Sequence, residues 1–270
     1  MKTHIKPENT ERMWALITGA SSGIGYCYAE ELASLNYNLI LVSNEEIPLA
    51  EAANRLGRQY GVESRMICTD LTAADAADSL YATCREWNIR IEILINNAGM
   101  YRFGETLDID RNFTTNTIAL HTLTPTRLCI LFGEDMRKQR HGYILNMSSI
   151  TAWLAYPGIN VYGATKRYLK NFSRGLHTEL SDYGVYVTAV CPGAVDTNLY
   201  NLNIKLRRHL VWLGIMMPPK KLARKAIHAL LRNKAVFIPG ILNRFLLPFI
   251  LLIPHGFIRW VARKSGILPL

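Results

Sequence analysis

Tyr162 and Lys166 stand four residues apart in sequence that reads as a helix. That spacing puts both side chains on one face, one turn apart. A free phenol holds its proton up to a pH of about 10, and an ammonium beside it favours the phenolate. A tyrosine so placed can give or take a proton near neutral pH. In isolation the same pair is an ordinary surface couple. Ser149 precedes Tyr162 by 13 residues, at the C-terminal end of an apolar run. Ligands of open α/β sheets bind outside the carboxyl ends of the strands, and a hydroxyl there can hold a substrate oxygen. A serine there can also cap the next segment, and Ser148 would serve as well for that.

A second chemical element lies near the N-terminus. Gly19, Ser21, Ser22, Gly23, Ile24 and Gly25 form a turn between an apolar run, Trp14 to Ile17, and a helical stretch that continues to about Asn36. A dinucleotide-binding fold needs glycines at this point, for a tight turn and for close backbone approach to a pyrophosphate. The helix N-terminus then offers unpaired N–H groups to the phosphates. Such folds often carry an acid at the end of the second strand to hold the adenosine ribose. Here that end reads Ser43-Asn44; Glu45 and Glu46 follow it and can also simply start the next helix. With no carboxylate at the strand end, NADP(H) is favoured over NAD(H), and NAD(H) stays open.

These residues need elements to position them. Apolar runs at Asn38–Val42, Ser64–Cys68, Ile91–Ile95, Gly142–Met147, Val185–Val190 and Ala235–Ile238 read as further strands. Helical sequence covers about Ile47 to Tyr60, Ala73 to Trp87 and Tyr162 to Leu180. Strands alternating with helices imply a parallel sheet covered on both faces, and uninterrupted apolar strands suit that burial. The expected fold class is α/β: a single-domain, doubly wound Rossmann fold.

Composition narrows the class. Of 270 residues, 49% are hydrophobic, enough for a sizeable core. Five cysteines, an odd number with no Cys-x-x-Cys pair, argue against a disulfide framework or a metal site and for a reducing, cytoplasmic compartment. The polar stretch from Met1 to Arg12 lacks the apolar region of a secretory signal. The net charge of +10 is uneven. Residues 201–270 hold 13 Lys and Arg and no acid, leaving 18 basic and 21 acidic side chains in residues 1–200. Such a basic segment can attract phosphates or an anionic membrane surface, or be a solvated face. It lacks a nucleic-acid-binding motif, so no nucleic-acid partner is expected.

The motifs, in this order, resemble the short-chain dehydrogenase/reductase family from about Trp14 to Gly240. The turn Thr18 to Gly25 looks like the family's cofactor turn. Asp70, followed by Leu71, looks like its adenine-contacting acid. Asn96, Asn97, Ala98 and Gly99 look like the motif after its fourth strand. Ser149, Tyr162 and Lys166 look like its catalytic set. The segment Pro192, Gly193, Ala194, Val195, Asp196 and Thr197 looks like the one that holds the nicotinamide carboxamide. The resemblance implies that Lys166 bonds the nicotinamide ribose and lowers the pKa of Tyr162. Ser149 would hold the carbonyl oxygen, and Tyr162 would pass the proton as hydride moves. No metal is implied, and a homo-oligomer is.

One position departs from the family, which usually has an Asn in the helix after the Asn-Asn-Ala-Gly motif to support a water chain to the lysine. Asn116 is a candidate. Yet His121, 24 residues after Asn97 and 28 before Ser149, fits the spacing better. The helix is expected to continue in register through Thr122 to Pro125. An ordinary histidine pKa near 6.5 would make the relay pH-sensitive. The alternative is a satisfied core histidine.

The family takes specificity from the segment after its Pro-Gly motif, here about 198–219. Tyr200, Leu206, Trp212 and Met216 suit a bulky apolar substrate. These features together point to reduction of a hydrophobic ketone, such as a 3-ketoacyl lipid, a 3-keto long-chain base or a steroid. Alternatives are an NAD-dependent secondary-alcohol dehydrogenase and a non-catalytic dinucleotide-binding redox sensor. Residues 1–240 are read as the domain carrying cofactor, catalysis and lid. Residues 241–270 are an apolar, basic extension. Its uncharged run Phe245 to Ile253 is too short to span a bilayer, which needs about 20 residues. It can lie in a membrane interface, form a dimer contact or wall the substrate pocket.

Overall fold

All seven apolar runs form strands, each ending within a residue or two of its expected limits. The computed structural model describes residues 12–154, 156–197, 216–251 and 254–264. The expected N-terminal stretch to residue 11 and lid residues 198–215 lie outside the described residues. So do Leu252 and Ile253 of the apolar run.

The strands are β1 (Trp14–Thr18), β2 (Asn38–Ser43), β3 (Ser64–Cys68), β4 (Ile91–Asn96), β5 (Gly142–Met147), β6 (Val185–Val190) and β7 (Val236–Phe237). They form one sheet in the order β3-β2-β1-β4-β5-β6-β7, every pair parallel. The helices are α1 (Gly23–Ser34), α2 (Glu46–Tyr60), α3 (Ala76–Glu86), α4 (Arg111–Ile118), α5 (Thr124–Gln139), α6 (Asn160–Ser181), α7 (Pro219–Leu231), α8 (Ile241–Leu251) and α9 (His255–Lys264). This is the doubly wound α/β fold that the alternation implied.

Successive residues of a strand face opposite sides of a sheet, and both sides are buried here. Ala15 and Ile17 of β1 join a cluster with Tyr28 and Leu32 of α1 and Leu222 and Ile227 of α7. Leu16, between them, joins Leu80 of α3 and Phe132 of α5 on the other face. Each fully buried Leu or Ile contributes about 1.5–3 kcal/mol, so the apolar runs fix the layers without need of alternation.

Strand order reverses between β1 and β4, because the chain leaves β1 toward β2 and β3 and returns to start β4 on the other side. That reversal opens a crevice beyond the carboxyl ends of the two strands. Thr18, which ends β1, ties the crevice walls together. Its Oγ1 accepts from the backbone N–H groups of Asn97 (2.9 Å) and Ala98 (3.0 Å), while Asn97 Nδ2 donates to its carbonyl at 3.0 Å.

One helix departs from expectation. The sequence from Arg111 to Gln139 does not continue in register. A π turn, Ala119–Leu123, joins α4 to α5 and carries His121 into the interior. Pro125, in the first turn of α5, has no N–H to offer the His121 carbonyl. The helix widens just before it, as π turns near functional sites often do.

Candidate active site

The candidate catalytic residues His121, Ser149, Tyr162 and Lys166 line one cleft of about 570 Å³ together with most of the candidate cofactor-binding residues, whereas Asn116 lies outside it. This size is usual for a small-molecule site. The Gly-rich turn forms one wall. Gly19 and Gly23 hold φ of 66° and 58°, a region side chains rarely enter. Gly25 is needed for a different reason, since a Cβ there would fall 1.9 Å from the Gly19 carbonyl oxygen. No side chain caps the N-terminus of α1, so its first N–H groups and the dipole face the cleft as an anion cradle. These observations fit a dinucleotide pyrophosphate.

Ser43, Asn44, Asp70 and Leu71, the residues expected to meet the adenosine, line the same cleft. Asp70 Oδ1 accepts from Thr72 N–H at 2.9 Å. Thr124 Oγ1 donates to the Leu71 carbonyl at 2.7 Å, pinning this loop to α5. Sequence reasoning missed Glu45, which lies in the same wall. It precedes α2, yet its carboxylate turns back and accepts from the Ser21 hydroxyl at 2.6 Å. Ser43 Oγ in turn donates to Ser21 Oγ at 3.0 Å and accepts from Glu45 N–H at 3.2 Å. A carboxylate thus stands where the strand end lacks one. The usable signal was its position two residues after β2.

At the other end, α6 presents Tyr162 and Lys166 to the cleft. Lys166 is buried and donates from Nζ to the Met147 carbonyl at 2.9 Å. Burial pushes its pKa down to about 8, slightly offset by the Cys191 sulfur. Its Nζ lies 5.5 Å from the Tyr162 ring centre. The Tyr162 ring meets Tyr101 and His121 edge-on, at 5.2 Å and 5.7 Å between centroids. Tyr101 was not foreseen. Ser149 lines the cleft and caps the 3-10 turn Ile150–Trp153, accepting from Thr151 N–H at 3.2 Å. Ser148 also lines the cleft, but its hydroxyl is committed to the Lys166 carbonyl at 2.7 Å. The geometry therefore separates the two serines.

His121 is buried, whereas Asn116 is exposed on α4. The imidazole Nε2 accepts from Met100 N–H at 3.0 Å. Nδ1 therefore carries the proton and donates to Thr165 Oγ1 at 3.1 Å. Thr165 Oγ1 passes the chain to the Tyr162 carbonyl at 2.8 Å. Burial, with the Lys166 charge second, holds the His121 pKa well below its ordinary 6.5. The ring is neutral across the physiological range. Such a ring does not titrate near the 6.5 expected of an ordinary histidine, and both of its nitrogens have partners within the fold. A Cβ on Gly99 would approach His121 Nε2 to 3.0 Å, so Gly99 keeps room for the ring.

Pro192, Gly193, Val195 and Thr197 close the cleft. Val195 pairs with Met217, and Met217 N–H donates to the Ala194 carbonyl at 2.9 Å. Met100, Leu120 and Met147 add apolar wall that the motifs had not predicted.

The family model for short chain dehydrogenases matches residues 13–205. A rat very-long-chain 3-oxoacyl-CoA reductase is 34% identical over 191 residues, 69% of this chain. The match spans only 60% of the rat protein's length. Among solved structures, a short-chain dehydrogenase from Sphingobium yanoikuyae in complex with NADPH is 32% identical, with a TM-score of 0.77, covering 94% of this chain and 93% of its own. The bulky-bulky ketone specific alcohol dehydrogenase from Comamonas testosteroni is 30% identical, with a TM-score of 0.75 and coverage of 96% and 94%. Fold, cleft and comparisons agree: this chain belongs to the short-chain dehydrogenase/reductase family, as an oxidoreductase that uses a nicotinamide dinucleotide on a CH–OH/C=O pair.

Proposed function

We propose that the protein reduces a bulky, hydrophobic ketone, of the 3-ketoacyl lipid, 3-keto long-chain base or steroid class. The observation that carries this reading is the convergence of Ser149, Tyr162 and Lys166 on one cleft whose wall includes Met100, Leu120 and Met147. The names of the similar rat and Comamonas proteins support the substrate class. The bound nicotinamide supplies the hydride. Ser149 holds the carbonyl oxygen, and Tyr162 gives that oxygen its proton. The Lys166 ammonium, anchored on the Met147 carbonyl, favours the phenolate left behind and holds the nicotinamide ribose. His121 acts as a positioning residue, bracing Met100 against α6.

The reading includes a homo-oligomer, dimer or tetramer, in the cytoplasm with peripheral membrane contact through residues 241–270. Residues 1–240 carry cofactor and catalysis. A second reading, NAD-dependent oxidation of a secondary alcohol, is favoured by one observation, the Glu45 carboxylate beside Ser21. It weighs against the 2′-phosphate of NADP(H), which the strand end alone had favoured.

A screen of ketones, including long-chain lipid ketones, with NADPH and NADH tests both readings. Tyr162→Phe should lower turnover by about 10²–10⁴-fold. Unchanged turnover across the panel would leave a non-catalytic redox sensor as the better account.

A further inference from the structure

Helices α8 and α9 carry four large aromatic side chains that the described fold leaves open. Phe245 is 68% exposed, Phe249 57%, Phe257 52% and Trp260 55%. Among the described residues, Phe103 is the one other exposed Phe or Trp. Phe245 and Phe249 stand one turn apart with ring centres 5.7 Å apart, and Phe257 and Trp260 stack at 5.7 Å. Each pair therefore shares a helix face. Clustered exposed rings of this kind mark an interaction surface.

The charge around them selects the occupant. Arg244, Arg259 and Lys264 are exposed on the same two helices, and Lys264 Nζ lies 5.0 Å from the Trp260 ring centre. No Asp or Glu occurs anywhere from residue 201 onward. A second copy related by a two-fold axis would lay this patch on itself. Arg and Lys would then face Arg and Lys with no carboxylate from this segment between them. An anionic bilayer offers phosphates to the cations and an apolar layer to the rings, at the depth where aromatic side chains collect. No helix among the described residues is long and apolar enough to cross a membrane.

Their position matters to the site. A Cβ on Gly193, in the cleft wall, would come within 2.8 Å of Asn243 Nδ2 on α8. Helix α8 also packs against the turn Ile150–Trp153, which starts directly after Ser149. The aromatic surface therefore begins beside the reacting end of the cleft.

We propose that α8 and α9 dock the protein on an anionic lipid bilayer and hold the reacting end of the cleft at its surface. The benefit to catalysis rests on the hydrophobic-ketone reading; the docking does not.

Flotation of the full chain with vesicles tests this, comparing phosphatidylcholine alone with phosphatidylcholine plus phosphatidylglycerol. The unaltered protein should float with the anionic vesicles, less as salt rises, and little with neutral ones. Phe249→Ser with Trp260→Ser should lower the bound fraction at least about tenfold, with NADH binding and turnover of a water-soluble ketone unchanged. Should that variant lose NADH binding through misfolding, Arg259→Glu with Lys264→Glu keeps the rings and should abolish the preference for anionic vesicles. Absence of flotation, or flotation that both variants leave intact, overturns the proposal. So does a variant that floats as well as the parent but shifts a dimer to a monomer, which would assign the face to a second copy. Vesicle binding without turnover of any ketone overturns the reductase reading and leaves the docking standing. Turnover without vesicle binding does the reverse.

Discussion

The Ser21 hydroxyl donates to the Glu45 carboxylate at 2.6 Å, across the gap between the Gly-rich turn and the start of α2. This pair occupies the side of the cleft where dinucleotide folds read the adenosine ribose. A carboxylate there can accept from ribose hydroxyls. It would repel a phosphate placed on the 2′ oxygen. At about 4 Å, two unit charges repel by about 1 kcal/mol in water and about 4 kcal/mol near a protein surface. Tenfold in affinity needs about 1.4 kcal/mol.

Fluorescence titration should therefore show NADH binding at least about tenfold tighter than NADPH. Glu45→Arg should reverse the order, because the guanidinium matches a phosphate and removes the repulsion. Glu45→Gln should bring the two affinities close together. Tighter binding of NADPH by the unaltered protein would sink this assignment.

The neutrality of His121 has a measurable consequence for stability. Its folded pKa is lowered, so below about pH 6.5 the unfolded chain takes up a proton that the folded chain refuses. Stability is then complete above that pH and falls as pH drops below it, by up to about 1.4 kcal/mol per unit. Urea unfolding at pH 7.5 and 5.5 should show a larger acid loss for the parent than for His121→Asn. Parallel losses in the two proteins would mean that the ring is not held neutral by the fold.

Much of this site was legible because its signals are local. The turn glycines, the apolar strand ends and the Tyr162/Lys166 spacing each express a constraint within a few residues of chain. Glu45 was not legible in that way. In the sequence it stands beside Glu46 where a helix can start, and only the fold brings its side chain back onto Ser21, 24 residues earlier. The two partners of His121 come from the loop at Met100 and from α6, so its tautomer is a property of packing. Ser148 and Ser149 are neighbours of the same type, and only the bond to the Lys166 carbonyl separates them. The π turn at Ala119–Leu123 was hidden for a related reason, since widening one turn leaves the helical composition unchanged.

Gly25 tests how tightly the cradle is built. The 1.9 Å approach of its virtual Cβ to the Gly19 carbonyl involves backbone on both sides, so no rotamer change relieves it. Gly25→Ala should displace α1 from the turn and weaken cofactor binding by at least about tenfold, with a lower melting temperature. Gly175, on α6, meets nothing within 4 Å of a virtual Cβ. Gly175→Ala should be neutral or stabilising by up to about 1 kcal/mol. Equal behaviour of the two variants in thermal unfolding and NADH titration would refute the close packing described at Gly25.

Lys166 carries a stability cost at neutral pH. Its pKa is pushed down from 10.5 to about 8, mainly by burial. A depression of that size corresponds to a destabilisation of about 3 kcal/mol at neutral pH. Lys166→Met removes the buried charge at similar length and loses the bond to the Met147 carbonyl, which offsets about 1 kcal/mol. The variant should be nearly inactive and yet melt several degrees higher at pH 7. The sign with pH is definite. The unfolded chain binds the extra proton between about 8 and 10.5, so the parent gains stability as pH rises through that window. The advantage of the methionine variant should be largest below pH 8 and fade toward pH 10.5. A variant that melts lower than the parent at pH 7 would show that the ammonium is stabilised in the folded cleft, and the burial argument for its lowered pKa would fail.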